Sequence, residues 1–214
     1  TAIIEQGPLG GTCLNRGCIP SKMIIHAAEV MQTIAQSSQF GIDVTAKKVN
    51  FSRVTGRAST LVDADARSIE HALRSEKNPT LFRGNATFVG QKILNINGEK
   101  ITAKKIVIAA GARPTIPPIP RLDTVPYLTS TEALRLKTFP KSMIIIGGGY
   151  IAAELGNFYA TLGCKVTIIQ RGPLLIPRED KDVAELFMKL LDEKGNVLVD
   201  TNVVNVQKQK RNIL

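Results

Sequence analysis

Tryptophan is absent from this 214-residue sequence, and tyrosine and cysteine occur three times each. With so few aromatics there is no stacking platform for single-stranded nucleic acid. Three cysteines cannot staple a small secreted scaffold. Long apolar runs are also missing: the longest uncharged one, Met143–Ala153, holds three glycines and falls short of the ~20 residues of a spanning helix. The first residues lack a signal-peptide pattern. Acidic residues are in deficit, 18 against 28 basic ones, for a net charge of +10. The basic residues are dispersed from Arg16 to Arg211, and only Lys208, Lys210 and Arg211 cluster. A solvated basic surface fits this better than a nucleic-acid interface. Hydrophobic residues at 43% and charged residues at 21% argue against disorder. The expectation is one or two α/β domains in a reducing, cytoplasmic setting, with no nucleic acid and no membrane partner.

The chain pattern is strand and helix in alternation. Thr1–Glu5 reads as a buried strand closing on an acid, followed by a Gly-rich loop over Gln6–Gly11. Helical spacing runs from about Thr12 to Ala35 and again over Phe51–Ser75. Short strands follow at Thr87–Val89, Lys92–Ile96, Lys100–Thr102 and Lys105–Ala109, with a turn at Asn97-Gly98. The last, IVIAA, reads as a centrally buried strand. Five prolines between Arg113 and Pro126 mark a stiff linker, which sets a boundary near Pro117: domains 1–116 and 117–214. Beyond it, strand Ser142–Ile146, helix Gly147–Leu162 and strand Lys165–Ile169 form a βαβ unit of about 30 residues. Helix Asp180–Lys194 and strand Asn196–Val199 follow, the strand-like run reaching Val206. Both chain ends fall in strand-like runs and no Met precedes Thr1. The expectation is an internal piece of a longer protein.

Ile144–Glu154, IIIGGGYIAAE, places Gly147, Gly149 and Ala152 in the Gly-x-Gly-x-x-Ala spacing of a dinucleotide turn. Gly147 would permit the tight turn, Gly149 the approach of a pyrophosphate, and Ala152 close packing of helix on sheet. The free N–H groups of the helix start would face the phosphates. An acid about 20 residues on would bind the ribose of NAD. Here the strand ends in Gln170-Arg171, with Arg178 beyond. Gln170 cannot repel a 2′-phosphate and Arg171 could bind one, so the site is expected to tolerate or prefer NADP(H).

The sharpest signal is GGTCLNRGCIPSK, Gly10–Lys22. Cys13 and Cys18 are five apart, a poor disulfide offset on a regular helix that a first turn distorted by Gly17 and Pro20 could close. A helix N-terminus lowers a thiol pKa, as thiol–disulfide exchange requires. Two buried core thiols remain the alternative. Zinc is poorly served, since His26 is the only further candidate ligand; no metal is expected. His26 and His71 read as ordinary helix residues, and Cys164 as an inert buried thiol.

Gly10–Lys22 resembles the redox motif of the FAD-dependent pyridine nucleotide–disulfide oxidoreductases, and the similarity extends along essentially the whole chain. The resemblance implies two Rossmann-like dinucleotide-binding domains, the first incomplete, with a small antiparallel β-meander. It implies that Cys13 is the interchange thiol and that Cys18 lies against the flavin. Lys22 would lie near the reactive flavin nitrogen and pair with Glu154 across the two domains, and Tyr150 would gate the nicotinamide pocket. Glu5 would bind the adenosine ribose of FAD, and Gly84-Asn85-Ala86 its adenine. Gly11, Thr12, Ala110 and Gly111 would line the flavin site, although Ala110 departs from the usual threonine. Gly147, Gly148, Gly149, Tyr150, Ile151, Ala152, Glu154, Gln170 and Arg171 would hold NAD or NADP. Electrons would pass between nicotinamide, flavin, the Cys13–Cys18 disulfide and a dithiol or disulfide substrate.

Within the family, Leu14, Ile19 and Ser21 resemble the dihydrolipoamide dehydrogenases, and a dihydrolipoyl dehydrogenase-like member is the expectation, with a mercuric or mycothione reductase-like NADPH-dependent reductase as the alternative. The dihydrolipoamide branch implies a lipoyl-linked substrate, a homodimer and a 2-oxo acid dehydrogenase complex as partner. The stretch QRGPLLIPRED, Gln170–Asp180, instead resembles mercuric and mycothione reductase-like members. The family's first FAD turn would precede Thr1. Its second FAD segment, dimer domain and His–Glu pair would follow Leu214, so residues 1–214 alone are expected to be inactive. A nucleotide-binding module without disulfide chemistry is the alternative from another class.

Overall fold

Phe51 anchors the core of the second half of the molecule. Its ring stacks edge-on to Phe139 and lies within 6.2 Å of Phe158 and Tyr159. In the computed structural model, which describes residues 1–45, 48–209 and 212–213, the chain divides into two compact units. One comprises Thr1–Pro20 and Ser59–Arg113, the other Ser21–Ala58 and Pro114–Leu214. The sequence pattern suggested a single boundary near Pro117. Residues Ser21–Ala58 group with the second unit because Ile24, Ala28, Phe51 and Ala58 share one apolar cluster with Ala152, Leu155, Phe158 and Ile168. Lys210 and Arg211 of the basic cluster lie outside the described residues.

In the first unit, strand β1 (Ala2–Glu5) pairs in parallel with β2 (Thr80–Arg83), a strand the sequence pattern did not predict. β1 is half-buried rather than buried. The helical period after the Gly loop resolves into two pieces, α1 (Gly11–Arg16) and α2 (Cys18–Gln36), broken at Gly17. Strands β3 (Ala86–Gly90), β4 (Ile93–Ile96) and β5 (Glu99–Thr102) form the antiparallel meander. Its second turn uses positive φ at both Asn97 and Gly98, the geometry a two-residue hairpin turn requires. Lys105–Ala109 corrects the expectation: it is not a strand, and Val107 and Ile108 are 87% and 75% exposed. An apolar run becomes a strand only where a neighbour takes its backbone hydrogen bonds, and among the described residues none pairs with it.

Helix α3 (Phe51–Ser75) covers the predicted span. In the second unit, a short helix α4 (Ser130–Ala133) is closed by a capping box between Thr129 and Glu132, the reciprocal arrangement that satisfies two free N–H groups. Strands β6 (Ser142–Ile146), β7 (Lys165–Ile169) and β8 (Asn196–Leu198) then form a parallel sheet in that order. They alternate with α5 (Tyr150–Thr161) and α6 (Lys181–Asp192). The run to Val206 does not continue β8. A last antiparallel pair, β9 (Lys208–Gln209) and β10 (Asn212–Ile213), ends the described chain. α5 sits close on β7 because Gly156 lacks a side chain: a Cβ there would lie 2.9 Å from Ile168 Cδ1. Fully buried Tyr159 donates its hydroxyl to the Ala133 carbonyl at 2.6 Å, and burial raises its phenol pKa. Cys164 is buried and its thiol is pushed up by that burial, which leaves it unreactive. Among the described residues, no helix is long and apolar enough to cross a membrane.

Candidate active site

In the first unit the Glu5 carboxylate closes the end of β1 by accepting the Gly7 N–H at 2.7 Å. Pairing of β1 with β2 carries Gly84 to Glu5, the Gly84 N–H donating to the Glu5 carbonyl. This parallel pair brings Glu5 beside Gly84-Asn85-Ala86, a juxtaposition that no local period reveals. Gly84 has φ +155°, and a Cβ would collide with Asn97, whose amide donates to the Arg83 carbonyl. Gly11 and Gly111 also have positive φ, with open space where a Cβ would stand. An acid at a strand end and glycines facing open space fit a ribose-bearing dinucleotide. Thr12 lies in α1, Ala86 opens β3, and Ala110 is exposed in the irregular run after β5.

Asn15, which sequence reasoning passed over, organises the cysteine segment. It is only 7% exposed. Its Nδ2 donates to the carbonyls of Leu9 at 2.8 Å, Gly11 at 2.9 Å and Pro8 at 3.3 Å. The Gly-rich loop is thereby tied to α1, one helical residue past Leu14. The signal was present as a polar residue between the two cysteines, but a single polar residue in a short helix carries no spacing rule.

Cys13 and Cys18 are exposed in this structure and do not form a disulfide. They flank the Gly17 break, so the short α1 and the 19-residue α2 meet between them. Gly17 is required there: a Cβ would lie 2.9 Å from the Thr12 carbonyl oxygen. The Cys13 pKa is raised, first by its hydrogen bond with Cys18, then by desolvation and by charge on Cys18. The N–H groups of Cys18 and Ile19 at the start of α2 pull the other way and lose. The sequence expectation is that a helix start lowers one thiol of the pair; at Cys13 the neighbouring sulfur outweighs the helix start. Replacing Cys18 with alanine removes the main raising cause, so alkylation of Cys13 by iodoacetamide at pH 8 should accelerate several-fold. Site-resolved mass spectrometry checks this; an unchanged Cys13 rate would mean the sulfurs are not coupled.

In the second unit, Gly147 takes φ +103° and donates its N–H to the Ile169 carbonyl at 2.8 Å, joining β6 to the end of β7. Gly149 caps α5 without any side-chain hydrogen bond, and open space lies beyond its Cα. The free N–H groups at the α5 start therefore face room for phosphate, and the turn fits a dinucleotide. Ala152 is buried under the helix, whereas Tyr150 and Ile151 are exposed. Lys22 of α2 donates to Glu154 of α5 in an ion pair within this unit. Tyr150 and Glu154 sit one turn apart on α5 and share a face; Cys18 and Lys22 are likewise four apart on α2. Gln170 is half-buried, its Oε1 accepting the Gly148 N–H at 3.2 Å and its Nε2 donating to the Leu174 carbonyl at 3.3 Å. Arg171 and Arg178 are exposed and, among the described residues, have no hydrogen bond or ion pair. His26 pairs with Glu29 on α2. Among the described residues no cluster of three metal-ligating side chains exists.

This geometry has known counterparts. The family Pyridine nucleotide-disulphide oxidoreductase matches residues 1–213, and the chain belongs to it. Mercuric reductase of Staphylococcus aureus is 38% identical over 212 residues, 99% of this chain and 38% of that protein. Mycothione reductase of Mycobacterium tuberculosis is 38% identical over 214 residues, covering 97% and 47%. Dihydrolipoyl dehydrogenase of Bacillus subtilis is 35% identical over 208 residues, covering 91% and 44%. The solved HOCl-induced flavoprotein disulfide reductase RclA from Escherichia coli is 32% identical with a TM-score of 0.85, over 99% of this chain and 46% of that one. The chain thus spans about half the length or less of the relatives it matches. Its fold is the α/β fold of the flavoprotein disulfide reductases.

Proposed function

We propose that this chain carries the redox centre of a flavin-dependent disulfide reductase that draws electrons from NADPH. The observation that supports it most is the thiol pair itself, Cys13 hydrogen-bonded to Cys18 across the Gly17 break. The first unit would hold FAD through Glu5, Gly11, Thr12, Ala86, Ala110 and Gly111. The second would hold the nicotinamide nucleotide through Gly147–Ala152, with Arg171 and Arg178 free to take a 2′-phosphate. Bound flavin and nicotinamide would supply the electron pair that reopens the Cys13–Cys18 disulfide.

The chain's own residues supply the exchange. Loss of the Cys13 Sγ proton to solvent leaves a Cys13 thiolate. That sulfur attacks one sulfur of the substrate disulfide; the substrate S–S bond breaks and its far half leaves as a thiolate, which takes up a proton. Cys18 Sγ, losing its proton, then attacks Cys13, the mixed disulfide breaks and the second substrate thiol departs. Two electrons have left the cysteine pair, now a disulfide. Glu154 would fix the position of the Lys22 ammonium.

Anaerobic reduction of the oxidised, flavin-loaded protein by NADPH should expose two additional titratable thiols, mapped to Cys13 and Cys18. Removing the Arg171 guanidinium by Arg171→Ala should raise KM for NADPH about tenfold or more, the worth of a hydrogen bond to a charged group, and leave NADH unchanged. No new thiols on reduction, or an unaltered NADPH/NADH ratio, would count against the respective part.

A dihydrolipoyl dehydrogenase-like activity is the second reading, favoured by Leu14, Ile19 and Ser21. It would bring a lipoyl-linked dithiol, a homodimer and a 2-oxo acid dehydrogenase complex as partners. Turnover of dihydrolipoamide with NAD+ would favour it.

A further inference from the structure

The segment that follows β7 folds back over the glycine turn and grips its middle residue from both sides. Gly148 gives its N–H to the Gln170 side-chain oxygen at 3.2 Å and receives the Ile176 N–H on its carbonyl at 2.6 Å. The other end of the Gln170 amide donates to the Leu174 carbonyl at 3.3 Å. Leu175, 1% exposed, forms a wall: a Cβ on Gly148 would lie 2.5 Å from its Cδ2 and 3.1 Å from Gln170 Cβ. Gly147 and Gly149, by contrast, face open space.

The grip carries strain. Ile176 has φ +43°, a left-handed conformation that is an outlier for a β-branched residue. Such a conformation persists where surrounding contacts over-determine it, and here it aims the Ile176 N–H at Gly148. The base of the segment is tied down as well. The Gln170 N–H donates to the Leu198 carbonyl, while Thr201 and Asp200 donate to the carbonyls of Gln170 and Gly172. Both amide ends of Gln170 are therefore committed to protein partners. At the position where an acid would otherwise meet the adenosine ribose, the side chain points into the turn instead.

We propose that Gln170 is a positioning residue: its amide is a strut that fixes Gly148 and so holds the Gly147–Ala152 turn in the shape that accepts a pyrophosphate, without reading the ribose. The choice between NADPH and NADH then falls to Arg171, within the segment that follows β7, and Arg178, just beyond it. The inference rests on reading the turn as a dinucleotide site.

The test uses the flavin-loaded protein with Gln170→Met, which keeps the length and removes both hydrogen bonds, and Gln170→Glu, which keeps only the acceptor for Gly148. Equilibrium binding of NADP+ and NAD+ is titrated, KM and kcat are measured with both reduced nucleotides, and exchange of the Gly148 amide hydrogen is followed. In Gln170→Met, Kd and KM should rise by one common factor of roughly five- to tenfold, about one hydrogen bond, for both nucleotides. kcat should stay within twofold, and Gly148 exchange should accelerate. Gln170→Glu should show a smaller common loss, with Gly148 still protected; it carries the test if the methionine variant does not fold. If Gln170→Glu tightens NAD+ while weakening NADP+, the side chain reads the ribose and the strut is wrong. Unchanged Gly148 exchange in Gln170→Met would also overturn it. Wild-type protein that binds neither nucleotide would sink the dinucleotide reading and this inference together. A null result with Arg171→Ala sinks only the NADPH preference.

Discussion

Serine at Cys13 or at Cys18 is expected to cut disulfide turnover by at least about a thousandfold, as loss of a residue acting within a catalytic unit does. The two sulfurs act as one group. Cys13 supplies the thiolate that opens the substrate disulfide, and the mixed disulfide cannot resolve without the second sulfur of Cys18. A serine hydroxyl does neither: it is not ionised near neutral pH and forms no stable bond of this kind to sulfur. Binding of NADP+ should stay within twofold in both variants, because the glycine turn belongs to the other compact unit. The split between turnover and binding distinguishes the disulfide reductase from a nucleotide-binding module that carries two idle thiols. Turnover within tenfold of wild type in either variant would leave the module as the better reading.

What the residues announced and what they concealed follow from the range of the forces involved. Helix α3 was legible to the residue because its apolar period is sustained over 25 positions. Strands β6 and β7 were legible because apolar runs stand against Gly signals on both sides of a helix. Strand β2 was not: TLFR has four residues and lies between Pro79 and Gly84, so its strand character comes from pairing with β1. The converse holds at Lys105–Ala109, where the period suggests a buried strand and the missing neighbour leaves Val107 and Ile108 in solvent. In the site, the glycine spacing and the cysteine motif are local patterns and could be read directly. Lys22 and Glu154 meet across 132 residues of chain, which no periodicity encodes; only the family resemblance joined them. Gln170 was read as a vacancy left by an acid, because sequence shows which group is missing but not where the substitute's amide turns. Its two hydrogen bonds depend on how the segment after β7 folds back.

Replacing Asn15 with leucine is expected to cost about 2–3 kcal/mol of stability, on the basis of about 0.5–1.5 kcal/mol for each hydrogen bond lost. At this chain length, that lowers Tm by about 4–12 °C. The orientation of the amide is dictated by its surroundings: three carbonyls converge on Nδ2, and only the amino end can donate to them. Oδ1 is buried with no partner, so the site already tolerates one unmade bond in return for three made ones. Aspartate is the more informative variant. It is nearly the same shape as asparagine, yet its carboxylate would set negative charge against those carbonyls, so its loss should exceed that of leucine above the carboxyl pKa. As pH falls and the aspartate takes up a proton, an O–H donor returns and part of the stability should come back. Leucine would show no such recovery. A thermal melt of wild type, Asn15→Leu and Asn15→Asp at pH 7 and pH 5 checks the order. Equal melts for all three would mean that the Gly-rich loop keeps its shape without Asn15, and that the cysteine segment is held by α1 and α2 alone.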